Sequence, residues 1–185
     1  RTAGEETWPG HGDFARDCAY VLGQIRELVA LCERITGRRL DLDRLRERMA
    51  HANAMARDYR TVLELNRRTP APFNAVTDGT IFLGVANALR GTSEAEEYFA
   101  SVVGELEARV ALGQGTVREE RYRLAFVGVP CYPIFRRFNE MFSEWGGIFV
   151  SSTYLWFASG GANLGFEYDL TRPLDYPPRV AERCD

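Results

Sequence analysis

Cys131 stands between Pro130 and Pro133 in the stretch "GVPCYPIF". It follows the β-rich run "YRLAFVGV" (122–129) and precedes an amphipathic segment with the spacing of a helix. A thiol there is either part of a site at the end of the strand or a small buried residue that fills a turn. A second chemical stretch, "STYLWFASGGANLG", follows the next β-rich run, "IFVSSTY" (148–154). It offers hydroxyls, the aromatic rings of Tyr154, Trp156 and Phe157, and the pair Gly160-Gly161. The rings suit either packing or a platform for a planar substrate. The glycines suit either a plain turn or a close backbone approach to a ligand. In open parallel sheets ligands bind outside the carboxyl ends of the strands, so Cys131 and residues 154–161 are expected on one shared edge.

That expectation depends on the elements. Strand, helix and strand over about 122–152 form a βαβ unit, hence a parallel pair with a right-handed crossover. Its helix carries Ile134, Phe135, Phe138, Met141, Phe142 and Trp145 on one face and ends at Gly146-Gly147. Residues beyond 154 read as loop. Upstream, the pattern is helical. Cys18, Val21, Leu22, Ile25, Leu28, Val29, Cys32 and Ile35 recur at steps of three and four, which predicts a helix that buries both cysteines. Asp13 or Asp17 is expected to cap it and Gly37 to end it. A second helix starts near "DLDRLRERM", with Leu42, Leu45, Met49, Ala52, Ala56, Tyr59, Val62 and Leu63 as its stripe, and stops before Pro70 and Pro72. "AVTDGTIFLGVANAL" is apolar on nearly all sides and predicts a buried helix. Ser93 and Glu96 have the spacing of a capping box for a fourth helix, with Tyr98, Phe99, Val102, Val103, Leu106 and Val110 as its apolar face. The expected fold class is α/β: a mainly helical region (1–120), then the start of a Rossmann- or flavodoxin-like lobe (121–185).

Composition narrows the function. The 185 residues are 45% hydrophobic and 26% charged, with net charge −3 and a pI of about 5.6; this is ordinary globular material, with no electrostatic signature of nucleic acid or anionic membrane. Every basic residue is arginine. No apolar run approaches the roughly 18 residues of a membrane span, and "RTAGEETWPGHGDF" has no secretory h-region, so a cytoplasmic location is expected. The first residue is not Met, and a piece of a longer polypeptide is expected. The four cysteines (Cys18, Cys32, Cys131, Cys184) include no CxxC pair, so no self-contained zinc site is expected, and His11 and His51 lack partners at ligand spacing. There is no GxGxxG and no GxxxxGK[ST], which excludes ATP binding in the P-loop manner. The carboxylate pairs in "GEE", "EAEE" and "REE" are expected on solvated faces or at helix starts.

Several long segments in order, "CERITGRRLDLDRLRERMAHANAMARDYRTVLELN" and "RYRLAFVGVPCYPIFRRFNEMFSEWGGIFVSSTY" among them, resemble the benzoyl-CoA reductase and 2-hydroxyacyl-CoA dehydratase family. "DCAYVLGQIRELVALCERITGRR", "TPAPFNAVTDGTIFLGVANALR" and "STYLWFASGGANLGF" look more narrowly like its ATP-dependent benzoyl-CoA reductase branch. The resemblance covers nearly the whole chain. It implies an iron-sulfur subunit with a [4Fe-4S] cluster held by cysteine thiolates, and a partner activator that hydrolyses ATP. It also implies a low-potential donor such as ferredoxin, and an aromatic acyl-CoA reduced to a cyclohexadiene-carbonyl-CoA. The dehydratase relatives use one electron to make a ketyl radical and lose water from a 2-hydroxyacyl-CoA. Cys131 is carried over as a cluster ligand or neighbour, beside the core-filling reading. Tyr154, Trp156, Phe157, Gly160 and Gly161 are carried as substrate-binding residues. The alternative from another class is a helical assembly module without catalysis.

Overall fold

The computed structural model describes residues 14–129 and 132–158. They fall in two compact units, divided between Asp43 and Arg44.

In the first unit, α1 (Phe14–Thr36) ends where the Gly37 amide bonds the Glu33 carbonyl at 2.9 Å, as the sequence predicts. Asp17 lies within the first turn rather than ahead of it. The burial expected for the α1 stripe does not hold: Cys18 and Cys32 are exposed, as are Val21, Leu22, Ile25, Leu28 and Ile35. Periodicity fixes which residues share a face, but not that this chain covers the face. Asp41 opens α2 (Leu42–Leu65) by accepting from the Asp43 amide at 3.0 Å.

The second unit holds the rest of α2, then α3 (Thr77–Ala88), α4 (Ser93–Ala111), β1 (Tyr122–Phe126), α5 (Phe135–Ser143), β2 (Gly147–Ser152) and α6 (Thr153–Ala158). The two strands are parallel, pairing Tyr122 with Gly147 and Phe126 with Ser152 around an irregularity at Leu124/Ala125. This is the α/β arrangement expected, helical region first and parallel βαβ second. The core joins Met55, Tyr59 and Val62 of α2, Leu83 and Ala86 of α3, Phe99 and Leu106 of α4, Phe149 of β2 and Leu155 of α6. Its rings meet edge to face, Tyr59 on Phe99 at 5.4 Å and Phe126 on Phe149 at 5.9 Å, the geometry ring quadrupoles favour.

Asn66 ties the helices to the sheet. It is 1% exposed. Its Nδ2 donates to the Val150 carbonyl at 2.9 Å, and its Oδ1 accepts from the Phe73 amide at 3.2 Å. The Ala75 amide donates to the Phe149 carbonyl at 2.7 Å. Glu120 corrects the solvated reading of "REE": its side chain is 5% exposed, accepts from the Ala71 amide at 2.6 Å and pairs with Arg123. Gly146 makes the turn into β2 at φ 78°, where a side chain would also meet the Glu119 carbonyl at 2.6 Å.

Other expectations shift. Only one face of α3 is buried, through Gly79, Leu83 and Ala86, while Ile81 is 59% exposed. Thr92, not Ser93, caps α4, accepting from the Ala95 amide at 3.3 Å. Glu96 bonds His51 Nδ1 at 2.7 Å rather than closing a capping box. On α5 no residue is fully buried; Phe138 stacks on Phe149 at 5.7 Å, whereas Met141 and Trp145 face outward. Leu42 and Leu45 at the start of the α2 stripe are exposed too.

Candidate active site at the carboxyl edge of the sheet

The strands end side by side, and the segments that follow them touch. The Gly128 amide, two residues past β1, donates to Thr153 Oγ1, the first residue past β2, at 3.0 Å. Beyond it, the Tyr132 and Tyr154 hydroxyls lie 2.8 Å apart, with ring centroids 6.3 Å apart at 77°. The turn after β1 and the start of the segment after β2 therefore meet at this edge.

The segment after β2 is helix, not loop. β2 runs directly into α6, and three contacts hold that helix in place. Leu155 is 1% exposed and lies against α3 at Gly79, where an added Cβ would come within 2.6 Å of Leu155 Cδ1. The Tyr59 hydroxyl donates to the Leu155 carbonyl at 3.2 Å. The Trp156 indole N–H donates to Ser151 Oγ at 3.3 Å. With Leu155 turned to the core, Tyr154 and Trp156 stand two positions apart, about 200° around the helix, and face different surroundings. Tyr154 meets Tyr132; Trp156 meets Ser151. The two rings do not form one platform. Of the other expected site residues, Cys131, Gly160 and Gly161 lie outside the described residues, and so does the side chain of Phe157.

Two hydroxyls that share one hydrogen bond keep one O–H between them for a ligand, whichever of the two donates. The hydrogen bond to Tyr154, aided by burial and by Tyr154's charge, pushes the Tyr132 phenol up to about 12. At neutral pH Tyr132 is thus a proton holder and hydrogen-bond donor, not a base. The pair is suited to a carbonyl oxygen or a developing oxyanion. Sequence reasoning missed Tyr132, although it lies beside Cys131 in the same turn; its partner, 22 residues away, leaves no local signal.

The described residues do not make a cluster site. No three His, Cys, Asp or Glu side chains among them gather around a common point. Cys18 and Cys32 both lie on α1, and fourteen residues of helix separate them by about 21 Å.

Comparison with known proteins agrees with the sequence resemblance. The family described as 2-hydroxyglutaryl-CoA dehydratase, D-component, matches residues 8–176. The B subunit of benzoyl-CoA reductase from Thauera aromatica is 33% identical over 176 residues, 90% of this chain and 40% of that one. The (R)-phenyllactyl-CoA dehydratase alpha subunit of Clostridium sporogenes is 29% identical over 136 residues, 73% of this chain and 33% of that one. The alpha subunit of (R)-2-hydroxyglutaryl-CoA dehydratase from Acidaminococcus fermentans is 33% identical over 115 residues, 62% and 24% of the two chains. The chain thus spans well under half the length of these relatives, all of which are named as subunits.

Proposed function

Because this chain belongs to the 2-hydroxyglutaryl-CoA dehydratase D-component family, we propose that it is part of a subunit of an enzyme complex that reduces an aromatic acyl-CoA. The reaction is the two-electron, two-proton reduction of the benzoyl-CoA ring to a cyclohexadiene-carbonyl-CoA. The observation that carries this reading is the 33% identity to the benzoyl-CoA reductase polypeptide over 90% of the chain. The carboxyl-edge geometry is compatible with it: the O–H that the Tyr132–Tyr154 pair keeps for a ligand hydrogen-bonds the thioester carbonyl, and the charge that builds there on reduction strengthens that bond. Aromatic ring reduction also needs water kept away, and Tyr132, Phe135 and Tyr154 supply aromatic surface at the same place.

The electrons belong to the rest of the complex. A [4Fe-4S] cluster in the full-length subunit would supply low-potential single electrons; the described residues provide no ligand set for it, and Cys131 lies outside them. The proposed partners are further reductase subunits, an ATP-hydrolysing activator and a donor of the ferredoxin kind. In that assembly the described residues bind and orient the acyl-CoA.

The second reading is loss of water from a 2-hydroxyacyl-CoA, supported by the family description and by the two dehydratase relatives. One anaerobic assay separates them. The full-length subunit with its partners receives ATP and a strong reductant, and benzoyl-CoA is followed at the absorbance of its ring. ATP-dependent loss of that absorbance is expected. Persistence of benzoyl-CoA while a 2-hydroxyacyl-CoA loses water would replace the reductase reading by the dehydratase one.

A further inference from the structure

Residues 74–79 touch three elements that frame the carboxyl edge. The Ala75 amide holds β2 through the Phe149 carbonyl at 2.7 Å. Gly79 admits Leu155 of α6 where a Cβ would not. Asn74 holds α5: its Nδ2 donates to Asn139 Oδ1 at 2.5 Å. The Asn74 side chain cannot turn its amide round. Its Oδ1 caps the start of α3, accepting from the Val76 amide at 2.9 Å and the Thr77 amide at 3.2 Å. Its own backbone amide donates to Asp78 Oδ2 at 2.9 Å, and its carbonyl accepts from the Asp78 and Gly79 amides. The cap leaves Nδ2 as the group that meets Asn139. Asn74 is 3% exposed, so that donor has no bulk water to turn to if Asn139 is lost.

The other contacts of α5 are of a different kind. Phe138 and Phe142 lie on Phe149 with centroids 5.7 and 5.1 Å apart. Apolar contact sets the distance between helix and sheet but is not directional, so it permits small slides along the helix axis. A short hydrogen bond from a fixed cap does not. The slide matters at the start of α5. Tyr132 packs on Phe135, the first residue of that helix, with centroids 6.5 Å apart, and meets Tyr154 of α6 at 2.8 Å. One segment thus supports both members of the pair, Tyr132 by way of α5 and Tyr154 by way of α6. We propose that Asn74 and Asn139 are positioning residues for the Tyr132–Tyr154 donor: their bond fixes α5 against the segment that also carries α6, and so sets how the two hydroxyls meet. The inference rests on the acyl-CoA reading above, in which that pair donates to the thioester carbonyl.

The test is Asn139→Ala in the assembled, full-length complex, with Asn139→Asp beside it. Alanine removes the acceptor, leaves the α3 cap in place and is the better helix former. Aspartate keeps an acceptor for Asn74 Nδ2, and Arg109 lines the same polar cleft to accommodate its charge. Three quantities are read: Tm, anaerobic benzoyl-CoA turnover, and the Tyr132 phenolate titration, taken as the difference from the same protein carrying Tyr132→Phe. In Asn139→Ala the titration is expected to fall from about 12 toward the ordinary value of about 10. Turnover is expected to lose about 10-fold in kcat, with KM changed less. That is smaller than the 10²- to 10³-fold of a donor lost outright, because both hydroxyls remain but are misplaced. Asn139→Asp is expected to keep titration and kcat near wild type. Asn139→Gln, which sets the amide one methylene further out, gives the same readouts should alanine cost the fold, and is expected to shift the titration the same way. A lowered Tm with wild-type titration and kcat would overturn the inference, as would equal losses of kcat in the alanine and aspartate variants. A shifted titration that aspartate restores, in a complex that turns over no benzoyl-CoA, would support the positioning and sink the reaction. An unshifted titration with full benzoyl-CoA turnover would sink the positioning and keep the reaction.

Discussion

Tyr154→Phe removes one oxygen from the carboxyl edge and separates a structural hydroxyl pair from a working one. The Tyr132–Tyr154 bond is 2.8 Å and lies at an exposed edge, with Tyr132 itself 48% exposed. A neutral hydrogen bond of this kind contributes about 0.5–1.5 kcal/mol, a fall in Tm of roughly 1–6 °C for a chain of this size. Two further readouts do not follow from stability. The first is titration. Loss of the Tyr154 hydroxyl removes the main cause holding Tyr132 up to about 12, so a phenol that titrates late in the wild type should titrate nearer the ordinary value of about 10. The stability tied to the Tyr132 proton is fully present below about pH 10 and is lost as pH rises toward about 12. In Tyr154→Phe that extra alkaline loss disappears. Phenolate absorbance against pH, with Tm measured at each pH, reads both. The second readout is catalysis. A donor aimed at a developing oxyanion is worth about 10²- to 10³-fold in kcat; Tyr154→Phe leaves the Tyr132 O–H as donor, so that full factor is expected in anaerobic turnover only when Tyr132→Phe is added and both hydroxyls are gone. Unchanged kcat with a lowered Tm in the double variant would return the pair to a structural role. An unchanged phenolate titration would refute the hydrogen bond itself.

Three further outcomes are expected. Asn66→Ala leaves the Val150 carbonyl and the Phe73 amide without their partner; each orphaned buried group costs about 1–3 kcal/mol, and urea unfolding should show a loss of at least about 2 kcal/mol. Gly79→Val drives a side chain onto Leu155, which is buried and has little room to move; a cost of about 1–3 kcal/mol should come with a larger fractional loss of turnover than of stability, because α6 is displaced. Cys131→Ser should lower the iron content or the turnover of the full complex without lowering its Tm; unchanged iron and unchanged turnover would make Cys131 a core residue.

Much of the fold was legible because its signals are local. The period of three to four fixed α2 and α4, and the β-rich runs on either side of an amphipathic segment fixed the parallel pair. The failures share one cause: whether a face is covered depends on residues far away in the chain. Cys18 and Ile35 lie on a well-formed apolar stripe and are nonetheless exposed. Glu120 looks solvated in "REE" but is buried by Ala71 and Arg123. Glu96 has capping-box spacing but meets His51 across 45 residues. At the site, strand ends could be read and side-chain partners could not. "STYLWF" has the β-branched and aromatic content of a strand end or loop; tertiary anchoring of Leu155 by Gly79 and Tyr59 makes it a helix.

That helix decides how the edge can be used. A loop at 153–158 could turn Tyr154, Trp156 and Phe157 toward one ligand surface. A helix whose Leu155 is fixed in the core cannot, since neighbours one position to either side of Leu155 diverge by about 200°. Two different surroundings result: Tyr154 meets Tyr132 across the edge, and Trp156 meets Ser151. Leu155→Ala should loosen α6 and shift both the Tyr132 phenolate titration and the Trp156 fluorescence, whereas Tyr154→Phe should shift the titration alone. If Leu155→Ala moved only one of the two signals, α6 would not be the common support of both rings.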